Sequence, residues 1–367
     1  MSDVSPALPS LPIVVLPEDN TVHARTRPAE PVAAALRDAA AALRGLRTEL
    51  LNPEGAGPAV DAAAAVAAER LAELAAAAWA PPLDTSVLVP IVPNHEYFGV
   101  RTAPLDDPLL VHEVATVVRR AFADLRRARL DLNDRAAIVL AMATVLERLL
   151  PGEGAPASLP VERPEAVTVP ELPGQDELTR WVVTHHFYFV LNLAAAHSVS
   201  RAAQALLDRD RDTALAALAE ALVYVRGFTA AMIHSGDMSA PCYDAKVRPT
   251  MQPPAVPVAL TGRTQPEHKA YRQAMRRLAK IAPPFAEAFA ADPELAVAVD
   301  ALLEADLQDI ERHIAVTAAL VGDESSIVAA DAAAESAVGV LRFMRHSRAV
   351  QYRELMRFGD PIALLTA

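Results

Sequence analysis

One histidine stands in a stretch of sequence that has the pattern of an amphipathic helix. His313 lies between Asp306 and Gly322, where apolar residues recur at spacings of three and four. An imidazole held between apolar helical turns is how an all-helical protein presents an axial ligand to haem iron. A packed or solvated side chain is the commoner role for such a histidine. His346 is a second candidate ligand, in a neighbourhood that is richer in arginine and therefore wetter.

A second set of chemically competent residues lies between 181 and 197, where aromatic residues and histidines share one apolar segment. We expect Thr184, His185 and Tyr188 near one face of a helix, because Tyr188 is four residues from Thr184 and three from His185. Buried histidines need hydrogen-bond partners or a ligand. The cluster therefore predicts a ligand pocket or, alternatively, a core helix with a satisfied histidine. Because His185 and His186 are adjacent, their side chains diverge by about 100° and are poorly placed to share one metal.

Arginines form a third set of candidates. Arg248 stands beside a proline after a predicted helix end, where a guanidinium is suited to grip a carboxylate with two hydrogen bonds. The alternative is that it caps the helix. Arg342, Arg345 and Arg348 are spaced three apart and form a basic stripe near the C-terminus. This stripe predicts either contacts to haem propionates or a solvated helix face.

Long helices must position these residues. Extended structure is predicted only for residues 83–104, which are β-branched and interrupted by prolines. The first 30 residues have the composition of an irregular arm. Helices are predicted over residues 31–51, 59–79, 107–128, 133–150, 176–208, 211–235, 265–280, 283–291, 293–321 and 329–357.

Composition excludes several classes of function. With 46 acidic against 34 basic residues the chain carries a net charge of −12, so nucleic acid is not an expected partner. The single cysteine, Cys242, forms neither an intrachain disulfide nor a cysteine-based zinc site, which favours a cytoplasmic location. No signal peptide is apparent, and no apolar run approaches the ~20 residues of a membrane span. Phosphate-binding loops, dinucleotide fingerprints and nucleophile elbows are missing from the sequence.

Four segments, taken in order, resemble the indoleamine dioxygenase family of haem enzymes, which groups with tryptophan dioxygenase and the pyrrolnitrin-biosynthesis enzyme PrnB. The resemblance covers about residues 187–358, near half of the chain. It rests on residues 189–198, similar to the distal helix; Tyr243-x-x-x-x-Arg248; residues 268–284, with their Met-Arg-Arg and Pro-Pro; and residues 312–322, similar to the proximal histidine helix.

The resemblance implies a haem b cofactor with His313 as the proximal ligand, and it places His346 on the trailing helix. It implies that Arg248 binds a substrate carboxylate and that Tyr243 and Met251 line the substrate pocket. On the distal side, the residues implied are His185 and Tyr188 for catalysis and Thr184 and Phe187 for substrate. Arg342 and Arg345 are the expected cofactor-binding arginines.

Two loops differ from the family pattern at positions that contact substrate. Residues 323–334 lack the glycine pair of the family's Gly-Thr-Gly-Gly loop, and a Gly-Ser-rich loop is shortened to residues 258–266. Both changes favour a biosynthetic variant over a tryptophan-degrading enzyme.

The sequence thus predicts an all-α protein in which a large helical domain encloses a haem. We expect a mostly helical N-terminal region over 1–160, a Pro-rich linker or crossing loop over 161–175, and a haem-binding catalytic domain over 176–367. The predicted activity is haem-dependent insertion of oxygen from O₂ into an indole- or phenol-type amino acid or derivative, as a dioxygenase or monooxygenase. A monomer or homodimer is expected. The alternative is an all-helical binding or scaffold protein that keeps the fold without haem chemistry.

Overall fold

The computed structural model describes residues 13–52, 57–81, 83–151, 176–260, 265–323 and 336–357. The chain is predominantly helical with one small two-stranded sheet, which confirms the all-α prediction. The N-terminal elements are β1 Val14–Pro17, α1 Glu30–Leu51, α2 Gly57–Ala77, α3 Pro93–Tyr97, β2 Val100–Ala103, α4 Asp107–Leu125 and α5 Leu132–Arg148. The C-terminal elements are α6 Glu177–Asp208, α7 Arg211–Ser235, α8 Ala240–Cys242, α9 Pro266–Ile281, α10 Phe285–Ala291, α11 Pro293–Val321 and α12 Ala337–Tyr352.

Side-chain caps explain why the helix boundaries are so close to those predicted. An aspartate accepts a hydrogen bond from a backbone N–H of the first turn in α4, α5, α6, α7 and α11. Gly322, at φ 79°, ends α11 in a conformation that favours glycine. As a result α7 and α11 have the predicted bounds of 211–235 and 293–321.

The predicted extended stretch over 83–104 is only partly correct. It contains a 3₁₀ turn at Thr85–Val87 and the short helix α3 before β2. Pro93 begins α3 because its fixed φ suits the first turn of a helix. Strand β2 pairs in parallel with β1, with Val14 opposite Val100, so the first thirty residues are not wholly irregular.

Several predicted segments lie partly or wholly outside the described residues, including residues 1–12 of the arm, 261–264 of the shortened loop and 324–334 of the loop that lacks the glycine pair. The Pro-rich linker over 161–175 is one of them. The last predicted helix, 329–357, is described only from residue 336, and its helical part is Ala337–Tyr352.

Helix α6 is the centre of the packing, since α4, α7 and α9 all lie against it. α7 in turn packs against α5 and α11, and α1 packs against α5 and α2. One hydrophobic cluster includes Leu36 of α1, Val118 of α4, Leu191 of α6 and Leu303 of α11. Residues on both sides of the Pro-rich segment therefore share a core.

Helix α7 departs from the expectation that no segment is apolar enough to cross a membrane. By length and composition Arg211–Ser235 meets that criterion, and 56% of its most apolar window is buried inside the protein. It lies between α5, α6 and α11, where a buried core helix has the same composition.

Candidate functional site

A cavity of about 440 Å³ lies among α6, α7, α9, α11 and α12. Its volume falls within the roughly 300–1,000 Å³ that is typical of small-molecule and cofactor sites. The lining is mainly apolar and includes Phe98, Trp181, Phe189, Ile310 and Leu320. The titratable side chains that line it are His185, Tyr188, Tyr243, His268, Asp309, His313 and Arg348.

Most of the predicted site residues meet at this cavity, although they come from distant parts of the sequence. Helix α6, a π-helical turn at Tyr243–Val247, a 3₁₀ turn at Arg248–Met251 and α11 bring them together. The predicted residues that line the cavity are Thr184, His185, Tyr188, Tyr243, Met251 and His313.

Phe187 and Arg248 do not line the cavity. Phe187 is 1% exposed within the core, because two residues along a helix turn its side chain about 200° away from His185. The Arg248 guanidinium lies over the Tyr243 ring, 5.7 Å from its centre, and forms an ion pair of 2.7 Å with Asp244.

Arg342 and Arg345 also lie away from the cavity. Arg342 is exposed and pairs with Asp323 at 3.3 Å, and Arg345 pairs with Glu311 at 2.7 Å. His346, the rival ligand, is exposed to solvent.

His313 presents an imidazole without a protein partner. No described residue forms a hydrogen bond with its ring. Burial, followed by the positive charge of Arg348, lowers the pKa of His313 to about 4. The ring is therefore neutral at pH 7, and a neutral nitrogen is the form that ligates a metal.

The tautomer of His185 is fixed by its own helix. Its Nδ1–H donates to the backbone carbonyl of Trp181, one turn earlier, at 2.6 Å. Burial lowers the pKa of His185 to about 4, so the ring is neutral and Nε2 is an acceptor. Phe98 stacks on the ring at 4.4 Å between centroids. His186 points elsewhere, as its sequence position predicts, and donates from Nε2 to the carbonyl of Phe98 at 2.6 Å.

His268 is a third imidazole in the cavity, which the sequence suggested only as part of a family landmark. Its Nδ1 lies 3.4 Å from both the Tyr188 hydroxyl and the Asn192 amide oxygen. Burial, together with Arg348, lowers its pKa to about 3. The rings of His185, His268 and His313 all line the same cavity. Within the described residues, however, no group of three ligating side chains converges on a single metal position.

A buried ionic network supports the cavity from the side of α12. Asp306, 0% exposed, accepts hydrogen bonds of 2.8 Å from the hydroxyls of Tyr271 and Tyr352 and of 2.7 Å from Arg272. Arg348 donates from Nη1 to the backbone oxygen of Asp306 at 3.0 Å. Burial alone would raise the pKa of the Asp306 carboxyl, but Arg272 and Arg348 hold it well below its usual range.

The N-terminal region supplies a polar wall that the sequence did not predict. Asn94 lines the cavity beside Gln265, whose amide nitrogen donates to the Glu267 carboxylate. Glu267 also lies 2.8 Å from Nε2 of His95, and both side chains are buried. This pair holds the short helix α3 against α9. The sequence signal that could have indicated this contact is Glu267, an acidic residue at the second position of α9.

The chain matches known proteins of one family. The sequence model of the SfmD 3-methyl-L-tyrosine peroxygenase family matches residues 15–298. A 3-methyl-L-tyrosine peroxygenase of Streptomyces lavendulae is 33% identical over 196 residues, which are 53% of this chain and 50% of that protein. The match therefore spans half the length of this relative.

A structural comparison finds a crystal structure of reduced SfmD, obtained by soaking with sodium hydrosulfite. Its TM-score is 0.48 at 17% sequence identity, over 81% of this chain and 97% of that chain. The sequence match names a peroxygenase of an aromatic amino acid, and it does not name the indoleamine dioxygenase group. Because the family's sequence model covers about three quarters of the chain, the protein belongs to the SfmD 3-methyl-L-tyrosine peroxygenase family.

Proposed function

We propose that the protein is a haem-dependent peroxygenase that oxygenates the ring of a tyrosine-type amino acid. The observation that carries this proposal is the cavity itself, where the unpartnered neutral imidazole of His313 faces aromatic and apolar walls. Family membership supports the reaction class, since the matched relative is a 3-methyl-L-tyrosine peroxygenase.

The donor set fits a haem. His313 would hold the iron, and the aromatic walls formed by Trp181 and Phe189 would exclude water from its surroundings. When bound, haem supplies the redox chemistry that activates oxygen.

The family name points to a peroxide as oxygen donor, where the sequence led us to expect O₂. The balanced reaction converts an aromatic C–H and hydrogen peroxide into a C–OH and water. Nε2 of His185 is placed to accept a proton from peroxide and to return it to the oxygen that leaves as water. Burial raises the pKa of Tyr188, which therefore stays protonated and acts as a hydrogen-bond donor.

Aromatic residues around the cavity give the substrate ring its place. Tyr243, Met251 and Phe189 all line it, so a phenol ring can bind there with its faces desolvated. Arg248 remains our predicted partner for the substrate carboxylate, and to serve it the guanidinium must exchange its ion pair with Asp244.

The ligand assignment is tested by variants of two histidines. His313→Ala should abolish stoichiometric haem binding and the Soret band, whereas His346→Ala should bind haem like the unmodified protein because its side chain is at the surface. Failure of the unmodified protein to give a Soret band after haemin is added would refute the proposal. Loss of haem in the His346 variant alone would refute the ligand assignment.

The oxygen donor is tested with isotopes. Ferric protein, a tyrosine-type substrate and ¹⁸O-labelled hydrogen peroxide under nitrogen should give a product that carries ¹⁸O. Product that forms only in air with a reductant, and contains oxygen from O₂, would show that the enzyme is an O₂-dependent oxygenase.

A further inference from the structure

Arg348 is a buried arginine whose guanidinium is only partly engaged by the protein. Its side chain is 6% exposed and lines the cavity. Its polar contacts with the described residues are all made by Nη1: 3.0 Å to the backbone oxygen of Asp306, 3.3 Å to the Asp306 carboxylate and 3.6 Å to that of Asp309. Within the described part of the chain, Nε and Nη2 have no hydrogen-bond partner.

Two nitrogen groups of an otherwise buried side chain are thus open to an acceptor in the cavity. A guanidinium carries five N–H donors in a planar fork, and a carboxylate satisfies two of them at once. The rest of the described lining near Arg348 on α12 is apolar and includes Val340, Leu341 and Met344. An anion that enters the cavity would therefore find at Arg348 a cation already oriented by Asp306.

The position of Arg348 places such an anion near the chemistry. Its positive charge lowers the pKa of both His268 and His313, so the guanidinium is within electrostatic range of these rings. The Asp309 carboxylate lies 3.6 Å from the Arg348 guanidinium and would repel the carboxylate of a ligand only while Asp309 is ionised. Burial raises the pKa of Asp309 to about 6, which lets this group take up a proton when another anion arrives.

The other arginines considered for this role are less well placed. Arg342 and Arg345 pair with carboxylates away from the cavity, and Arg248, which does not line the cavity, lies over the Tyr243 ring and pairs with Asp244. Of the arginines in the described residues, Arg348 is the one that lines this cavity.

We propose that Arg348 binds a carboxylate in the cavity. This carboxylate is either a haem propionate or the α-carboxylate of the amino acid substrate. The two sources share the same chemistry, and only the identity of these ligands rests on the proposed peroxygenase function.

The test compares ligands with and without a carboxylate. One pair is haemin and haemin dimethyl ester, and the other is L-tyrosine and tyramine. Affinities are measured by absorbance for the first pair and by calorimetry for the second. The proteins compared are the unmodified chain, Arg348→Gln, Arg348→Lys and the control Arg342→Gln, which alters an exposed arginine of the same helix.

We expect the unmodified protein and Arg342→Gln to prefer the carboxylate form of one pair by about 10- to 100-fold, the range of a charge-assisted hydrogen bond. Arg348→Gln should reduce that preference to nearly one without weakening the ester or the amine. The ligand pair that loses its preference in Arg348→Gln shows whether the bound carboxylate belongs to haem or to the amino acid. Arg348→Lys should keep part of the preference, and it replaces the Gln variant if far-UV circular dichroism shows that Gln prevents folding.

The proposal is overturned if the unmodified protein shows no preference in either pair, or if both preferences survive in the Arg348 variants. Failure of the peroxygenase proposal has a different signature. In that case haemin gives no Soret band, while calorimetry still reports whether the preference for L-tyrosine over tyramine depends on Arg348.

Discussion

Replacement of Asp306 by asparagine should strongly destabilise the protein. The carboxylate is completely buried and accepts hydrogen bonds from Tyr271, Tyr352, Arg272 and Arg348. Asn has nearly the same shape but no charge, so two buried guanidinium groups lose their principal counter-ion. Breaking a buried ion pair in this way costs about 3–5 kcal/mol. Since whole domains are stable by roughly 5–15 kcal/mol, this loss is a large fraction of the total.

Urea unfolding of the cofactor-free protein measures the effect, with the free energy obtained from the midpoint and the slope. Asp323→Asn is the matched control, because Asp323 and Arg342 form a pair at 3.3 Å in which both side chains are more than half exposed. Exposed pairs contribute about 0–1 kcal/mol. A loss for Asp306→Asn no larger than that of Asp323→Asn would refute the reasoning.

A double variant tests the stated cause. If the cost of Asp306→Asn comes from the unpaired charge of Arg272, then adding Arg272→Met removes that charge. The double variant should then be less destabilised than the sum of the two single variants, with a coupling of about 1–3 kcal/mol. Strict additivity would show that the network is not the source of the loss.

Further predictions concern pH, packing and catalysis. Burial lowers the pKa of His186 from 6.5 to about 4, so its contribution to stability is complete above pH 6.5 and is lost as the pH falls towards 4. Between pH 7 and pH 5 the free energy of unfolding should fall by up to roughly 2 kcal/mol through this group. His186→Gln should show a smaller fall in urea titrations, and an equal fall would contradict the assignment. Gly227→Ala should cost about 1–3 kcal/mol, because the new Cβ would lie 2.4 Å from that of Ala141. Gly45→Ala should instead raise the free energy of unfolding by about 0.5–1 kcal/mol, because the new Cβ would meet nothing within 4 Å. If calorimetric melting shows that both alanine variants change stability in the same direction, this packing argument is refuted. His185→Ala should lower peroxide-driven turnover by about 10²- to 10⁴-fold while the Soret band stays, whereas loss of the band would show that His185 is an iron ligand.

The sequence predicted most helices because their ends are encoded locally. Asp210 and Asp292 cap α7 and α11 through their own first turns, and Gly322 ends α11. Strand β2 was harder to locate, since its stability comes from pairing with Val14–Pro17 far away in the chain. Neither β1 nor the short helix α3, which precedes β2, has a strong local sequence pattern.

The arginine stripe shows why the cavity was predicted only in part. Residues three apart on a helix are offset by about 60°, so Arg348 points about 120° away from Arg342. Sequence spacing alone does not reveal which of the three faces inward, and packing of α12 against α11 selects Arg348. His313 and His185 were found because an imidazole on an apolar face is an unusual feature. Asn94 and Phe98 were missed because they belong to residues 1–160, which carry no local signal for a site and were predicted to lie outside the haem-binding domain.

The cavity draws its lining from positions as distant as Asn94 and Arg348. A ligand held there thus binds only when elements from α3 to α12 are folded together, and its binding free energy adds to the stability of that folded state. A ligand present at 100 times its dissociation constant would stabilise the folded chain by about 2.7 kcal/mol. Thermal shift of the cofactor-free protein is therefore a direct way to screen for cofactors and substrates, and a fragment of the chain is not a suitable substitute.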